Sequence, residues 1–89
     1  MLQIWKFMLN PDQIGMFMPK GAKILTIQTQ QNTPCIWALV NPLAEKVYRT
    51  FKVFGTGHEI PEELLQDHIY IGTFQLDDGN YVFHLFEQS

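Results

Sequence analysis

The sequence of 89 residues contains one cysteine, Cys35, so an intramolecular disulfide is impossible and a disulfide-stapled secreted scaffold is excluded. No stretch approaches the ~18 consecutive apolar residues that a membrane-spanning helix requires. The first residues lack the cationic start and the apolar run of a signal peptide. We therefore expect a cytoplasmic protein with no membrane partner.

Cations are missing from the last third of the chain, since residues 58–89 contain seven acidic residues and no lysine or arginine. The first 57 residues contain all six cations and only two acids, so the net charge of -3 conceals a polarised sequence. Four acids lie close together at Glu59, Glu62, Glu63 and Asp67. Such a run is typical of a solvated helix face, and it also fits an acidic docking patch for a basic partner. The charge distribution disfavours a basic groove for nucleic acid.

The composition of 46% hydrophobic and 13% aromatic residues excludes a disordered chain and suffices for one small core. We expect a single domain over residues 1–89. The periodicity is that of β-strands, because short stretches rich in aromatic and β-branched residues alternate with turn residues. The candidate strands are residues 2–9, 14–18, 23–30, 35–41, 46–54, 68–76 and 80–87.

Two segments between these strands have specific turn or helix signals. Residues 77–80 contain Asp-Gly, a strong hairpin signal, whereas residues 61–67 combine a proline with acids suited to the first turn of one short helix. Gln31 to Pro34 should connect another hairpin, and Asn10-Pro11-Asp12 should end the first strand. The predicted fold class is all-β with one short helix: a small antiparallel barrel or sandwich of about six to seven strands.

Residues 36–40 are apolar at every position, which predicts a central strand covered on both faces. Side-chain parity along the other strands assigns one face of each to the interior. The predicted core consists of Leu25, Ile27, Trp37, Leu39, Phe51, Phe74, Phe83 and Leu85.

The strongest candidate site is the loop Gly55-Thr56-Gly57-His58 with the adjacent Glu59. Two glycines one residue apart permit positive φ angles, and successive amides in such a turn can form an anion-binding concavity. His58 can add a hydrogen bond or a switchable charge. The same sequence is also typical of a plain turn, because it lacks the third glycine of a dinucleotide fingerprint and the Lys-Ser/Thr of a P-loop. All five residues are predicted to contact a ligand or partner.

Patterns for catalysis and metal binding are weak. His58, His68 and His84 lack the spacing of zinc ligands, so neither a metal site nor a cofactor is predicted. Cys35 begins an apolar strand, which favours a buried and inert thiol. The one serine, Ser89, cannot provide a Ser–His–Asp arrangement inside the fold. We therefore do not expect an enzyme.

Basic and aromatic residues do alternate in one predicted strand, through Lys46, Arg49 and Lys52. Parity places Arg49 on the opposite face from the two lysines, so a stacking groove for nucleic acid is not expected. An open strand edge offers another kind of binding, because it can pair with a partner's strand or with a second copy of the chain. A homo-oligomer is therefore one possible state.

Six segments stand out, in order, over nearly the whole chain: Ile4–Phe7 (IWKF), Met18–Leu25 (MPKGAKIL), Pro34–Val40 (PCIWALV), Phe54–His58 (FGTGH), Tyr70–Gln75 (YIGTFQ) and Val82–Glu87 (VFHLFE). Together they resemble a family of small bacteriophage and prophage proteins of unknown function. The resemblance implies a phage-derived accessory protein inside a bacterial cell, and it implies no activity.

The leading functional hypothesis is a non-enzymatic module that binds a host or phage protein through residues 55–59. The alternative is an oligomeric binder of a small anion such as a signalling nucleotide, with the loop assisted by Lys20, Lys23, Arg49 or Lys52. The third hypothesis is a component of the virion or of its assembly.

Overall fold

The computed structural model describes residues 1–10 and 15–89, which form seven strands and one 3₁₀ helix. The 3₁₀ helix, Glu62–Gln66, occupies the region of the predicted short helix. Ile14 and the predicted strand end at Pro11-Asp12 lie outside the described residues. The strands are β1 (Gln3–Met8), β2 (Gly15–Pro19), β3 (Lys23–Gln30), β4 (Thr33–Val40), β5 (Lys46–Gly55), β6 (His68–Leu76) and β7 (Tyr81–Gln88).

The strands form two antiparallel sheets whose inner faces pack against each other. The first sheet has the order β1-β4-β3 and the second has the order β2-β5-β7-β6. The all-β prediction is thus confirmed, and of the two predicted architectures the described strands adopt the sandwich, because they do not close into a barrel. No helix within the described ranges has the length and apolarity to cross a bilayer.

The hairpin connecting β3 and β4 is tighter than predicted. Its loop is only Gln31 and Asn32, with φ angles of 49° and 60°, which match a two-residue turn with both residues in the left-handed region. Thr33 and Pro34 belong to β4. The β6–β7 turn lies beside this hairpin, since the amide of Asp77 donates to Oδ1 of Asn32 at 2.6 Å.

The core confirms part of the predicted inner face and corrects β4. Ile27, Phe51, Phe74 and Leu85 are buried as predicted, and Phe83 packs against them half-buried. From Ile36 onward the parity of β4 is the reverse of the prediction: Ile36, Ala38 and Val40 are fully buried, whereas Trp37 and Leu39 are half-buried on the outer face.

Pairing explains both errors in the predicted core. β4 has no polar face to fix its parity, and its pairing with β1 places Ile36 and Ala38 against Phe7 and Trp5, which contact the core. Leu25, also predicted inside, is 45% exposed because the β3–β4 register shifts between Ile24 and Thr26. Such a bulge leaves the extra residue unpaired.

A buried ion pair lies on the inner face of the second sheet. Nε and Nη2 of Arg49 donate to the two carboxylate oxygens of Glu87 at 2.5 and 2.8 Å, and Nη1 donates to the carbonyl oxygen of Ala22 at 2.5 Å. The side chains are 20% and 8% exposed. Lys52 is exposed, so the predicted separation of Arg49 from Lys52 by parity is confirmed.

Candidate functional site

The loop of residues 55–59 follows directly from β5 and is held by main-chain hydrogen bonds. The amide of His58 donates to the carbonyl oxygen of Gly55, and the amide of Thr56 donates to the carbonyl oxygen of Val82, both at 3.1 Å. Gly57 has a φ of 86°, a conformation that glycine adopts without strain. The glycine spacing therefore produces a closed turn that is anchored to β7.

The first glycine is required by the position of the His58 ring. A Cβ added at Gly55 would lie 2.8 Å from Cε1 and 2.9 Å from Nδ1 of His58, which is closer than carbon and nitrogen atoms approach. The imidazole of His58 therefore lies directly against the backbone of residue 55. His58 and Glu59 are both exposed.

The loop is connected by Thr56 to a polar cluster around His84. Nε2 of His84 lies 2.7 Å from Oγ1 of Thr56. Its Nδ1 lies 3.0 Å from the hydroxyl of Tyr70 and 3.2 Å from Oγ1 of Thr73, and these two hydroxyls also contact each other. Three hydroxyl groups from two segments, the loop after β5 and strand β6, thus fix the orientation of one imidazole.

An aromatic cluster surrounds this imidazole on the outer face of the second sheet. Phe86 packs edge-on against Phe54 at 5.8 Å and against Tyr70 at 5.2 Å between ring centroids. Phe86 is buried, whereas Tyr70 is 51% exposed. We call the set Phe54, Tyr70, Thr73, His84 and Phe86 the outer aromatic face.

A shallow depression of about 260 Å³ lies between the loop and the start of β7. Tyr81 lies at its border, is 57% exposed and stacks on Phe83 at a centroid distance of 6.4 Å. The depression therefore combines main-chain polar groups with aromatic surface. Its lining residues are Gly55, Thr56, His58, Asn80, Tyr81, Val82 and Phe83.

The cations proposed to assist anion binding do not converge on this loop. Arg49 points into the core and pairs with Glu87, and Nζ of Lys20 lies 3.7 Å from Glu45. Lys23 belongs to β3 in the first sheet, and Lys52 alone shares the outer face of the second sheet with the loop. Two loop amides, those of Thr56 and His58, already donate within the protein.

The other chemical candidates lie apart from the loop. Cys35 is 1% exposed in the first sheet, as predicted for a buried thiol. Nδ1 of His68 lies 2.7 Å from Oδ1 of Asp67 and 3.2 Å from the carbonyl oxygen of Leu64. Within residues 1–10 and 15–89, no three His, Cys, Asp or Glu side chains are grouped to hold a metal ion.

Sequence reasoning predicts a site at the loop, and it does not find the residues that join the loop to the sheet. Alternation along β7 places His84 on the face opposite Phe83 and Leu85, where it pairs with Phe54 and Thr73. Its grouping with Tyr70 and Thr73 depends on the β6–β7 register, in which Tyr70 pairs with Phe86 and Thr73 pairs with His84. The sequence signal that could have found this grouping is the alternation of side chains between the two faces along both strands of the last hairpin.

Comparison with known proteins gives one match. A family model described as a domain of unknown function (DUF7352) matches residues 1–89. No curated protein and no solved structure matches the chain.

Proposed function

The chain belongs to the DUF7352 family, whose description assigns no activity, and we propose that it is a non-enzymatic module that binds a protein partner. The proposed contact surface consists of residues 55–59, the exposed ring of Tyr81 and the outer aromatic face. Following the resemblance to phage and prophage proteins, the module is an accessory protein in a bacterial cell and its partner is a host or phage protein.

The observation that carries this proposal is the preformed geometry of the loop. Its backbone is fixed by the two amide hydrogen bonds of Thr56 and His58. The Thr56 side chain is held by its contact with His84, and the His58 ring rests against Gly55. A loop that is already ordered loses little conformational entropy on association. The exposed His58 ring is therefore presented at a low ordering cost.

The composition of the surface supports the same conclusion. Tyr70 and Tyr81 are both more than half exposed, and each is held by an aromatic neighbour. Tyrosine is enriched among the residues that dominate binding energy at protein interfaces, because it buries a large rigid ring and keeps a polar tip. Two such rings beside an ordered loop favour protein binding over catalysis.

The test is capture of a partner from a bacterial lysate, followed by calorimetry with the purified partner. We expect His58→Ala and Tyr81→Ala to weaken binding at least about tenfold, the effect of losing one interface anchor. Both side chains are exposed, so the melting temperature should change little. Tyr48→Ala is the matched control, since Tyr48 is also 57% exposed but lies eight residues before Thr56, about 26 Å along the strand.

Three outcomes would count against the proposal. If both variants kept the wild-type affinity, the contact surface would have to lie elsewhere on the molecule. Parallel loss of affinity and melting temperature in His58→Ala would show that the histidine is structural. Stabilisation of about 2.7 kcal/mol by a nucleotide at 100 times its Kd would favour an anionic ligand instead.

A further inference from the structure

The outer face of the first sheet is apolar and cationic. Ile4 and Met8 are 61% and 68% exposed, and strand pairing places them beside Leu39 and Cys35 on β4. Nζ of Lys6 lies 5.9 Å from the centroid of Trp37 and donates to Gln30. Strands β1, β3 and β4 contain two lysines and no acidic residue. We call this surface the cationic face; its central residues are Ile4, Lys6, Met8, Lys23, Trp37 and Leu39.

The second sheet carries a surface of opposite charge. Residues 59–67, here called the acidic ridge, contain four acids and no cation. The ridge also exposes apolar side chains, since Leu65 is 66% and Ile60 is 38% exposed. It is fixed to the domain by the buried Leu64, whose carbonyl oxygen lies 3.2 Å from Nδ1 of His68. Both surfaces thus combine exposed apolar groups with charges of a single sign.

Apart from Asp67, which lies 2.7 Å from Nδ1 of His68, the charges of the two surfaces have no ion-pair partner among the described residues. Among the described residues, neither Lys6 nor Lys23 forms a salt bridge, and neither Glu62 nor Glu63 does. The cationic face lies on the outer side of the first sheet. The acidic ridge contacts β6 at the outer side of the second sheet, where His68 shares the face of Tyr70. Because the inner faces of the sheets pack together, the two surfaces point to opposite sides of the sandwich.

We propose that copies of this chain associate head to tail, with the acidic ridge of one copy seated on the cationic face of the next. A symmetric pairing of two cationic faces would bring four lysines together with no carboxylate between them. A symmetric pairing of two ridges would bring eight acids together, and like charges in contact are strongly unfavourable. Only the heterologous arrangement matches both charge and apolar surface, and such contacts build rings or open chains of subunits.

The experiment is charge reversal followed by mixing. The face variant carries Lys6→Glu and Lys23→Glu, and the ridge variant carries Glu59→Lys, Glu62→Lys and Glu63→Lys, which leaves Asp67 as the one acid of the ridge. Each variant alone presents two surfaces of the same sign, so its association should weaken at least about tenfold. In an equimolar mixture, every contact between unlike variants is again complementary. Sedimentation velocity should therefore show oligomers for the unmodified protein and for the mixture, and monomers for either variant alone.

Three further measurements keep the result interpretable. Thermal melts of both variants establish that they are folded. A salt series on the unmodified protein needs no substitution, and raising the ionic strength from about 0.05 to 0.5 M should shift its mass toward the monomer. Tyr81→Ala should leave the association unchanged, which separates this inference from partner binding.

The proposal would be overturned by a monomeric wild-type protein at about 0.1 mM, where contacts of even modest affinity are populated. It would also be overturned if both variants kept the wild-type mass, which would indicate pairing through an open strand edge. If the equimolar mixture stayed monomeric, the reversed residues of the two surfaces would not face each other.

Discussion

Oγ1 of Thr56 lies 2.7 Å from Nε2 of His84, 28 residues further along the chain. This contact connects the loop at the end of β5 to the central part of the β6–β7 hairpin. Through Nδ1 of the same ring, the connection extends to Tyr70 on β6. The loop and the outer aromatic face are therefore one continuous structure. A substitution in the loop should change the environment of the side chains on the outer aromatic face.

Replacement of Thr56 by valine tests this connection, because valine keeps the β-branched shape and removes the hydroxyl. We expect the free energy of unfolding to fall by about 1 kcal/mol, the typical contribution of one hydrogen bond. Thr56→Ser keeps the hydroxyl and is the matched control. Urea unfolding measures the change, and the ring nitrogen shifts of His84 should move in the valine variant only. Unchanged shifts would show that the contact is not formed in solution.

Within the second sheet, we expect substitutions in the buried pair of Arg49 and Glu87 to lower the free energy of unfolding most. Arg49→Met leaves a buried carboxylate without its cation, and we expect a loss of about 3–5 kcal/mol. The double variant Arg49→Met with Glu87→Met buries no charge and should recover a large part of that loss. Urea unfolding of both single variants and the double variant gives the coupling energy. Additive losses would show that the two side chains do not act as a pair.

Cys35 provides a probe of unfolding in the first sheet. It is 1% exposed, so a thiol reagent should reach it only through opening of the structure. We expect labelling in buffer to be at least about a thousandfold slower than in denaturant. The control is Gln28→Cys in a Cys35→Ala background, because Gln28 pairs with Cys35 in the sheet but is exposed. Immediate labelling of the wild-type protein would contradict the burial of Cys35.

The predicted strands and the short helix agree with the structure because each is coded locally. Asp77 to Asn80 form the predicted turn, and the proline and acids around Glu62 start the 3₁₀ helix where expected. Parity can be read from the sequence of β7, where the polar His84 stands between the apolar residues Phe83 and Leu85. It was not readable in β4, because apolar residues at every position leave the direction of Ile36 to be decided by pairing with β1.

The same distinction separates what was found at the site from what was missed. The loop is a contiguous sequence, so its glycines and His58 could be recognised from spacing alone. The partners of His84 come from positions 28, 14 and 11 residues earlier, and only the register of three strands brings them together. The burial of Arg49 against Glu87, 38 residues apart, was hidden for the same reason.

Gly55→Ala is the sharpest test of the loop itself. The added Cβ would lie 2.8 Å from Cε1 of His58, and because that ring is the exposed end of a flexible side chain it should rotate away. We therefore expect a change of less than about 1 kcal/mol in stability, as for exposed sites in general, together with the same loss of partner affinity that we expect for His58→Ala. The double variant should bind no more weakly than either single variant, since both act by removing the same ring.

Without any partner, the nuclear Overhauser effects between His58 and Gly55 should disappear in Gly55→Ala. If those effects persist, or if the two losses of affinity add, the contact of the His58 ring with Gly55 does not position the ring for binding.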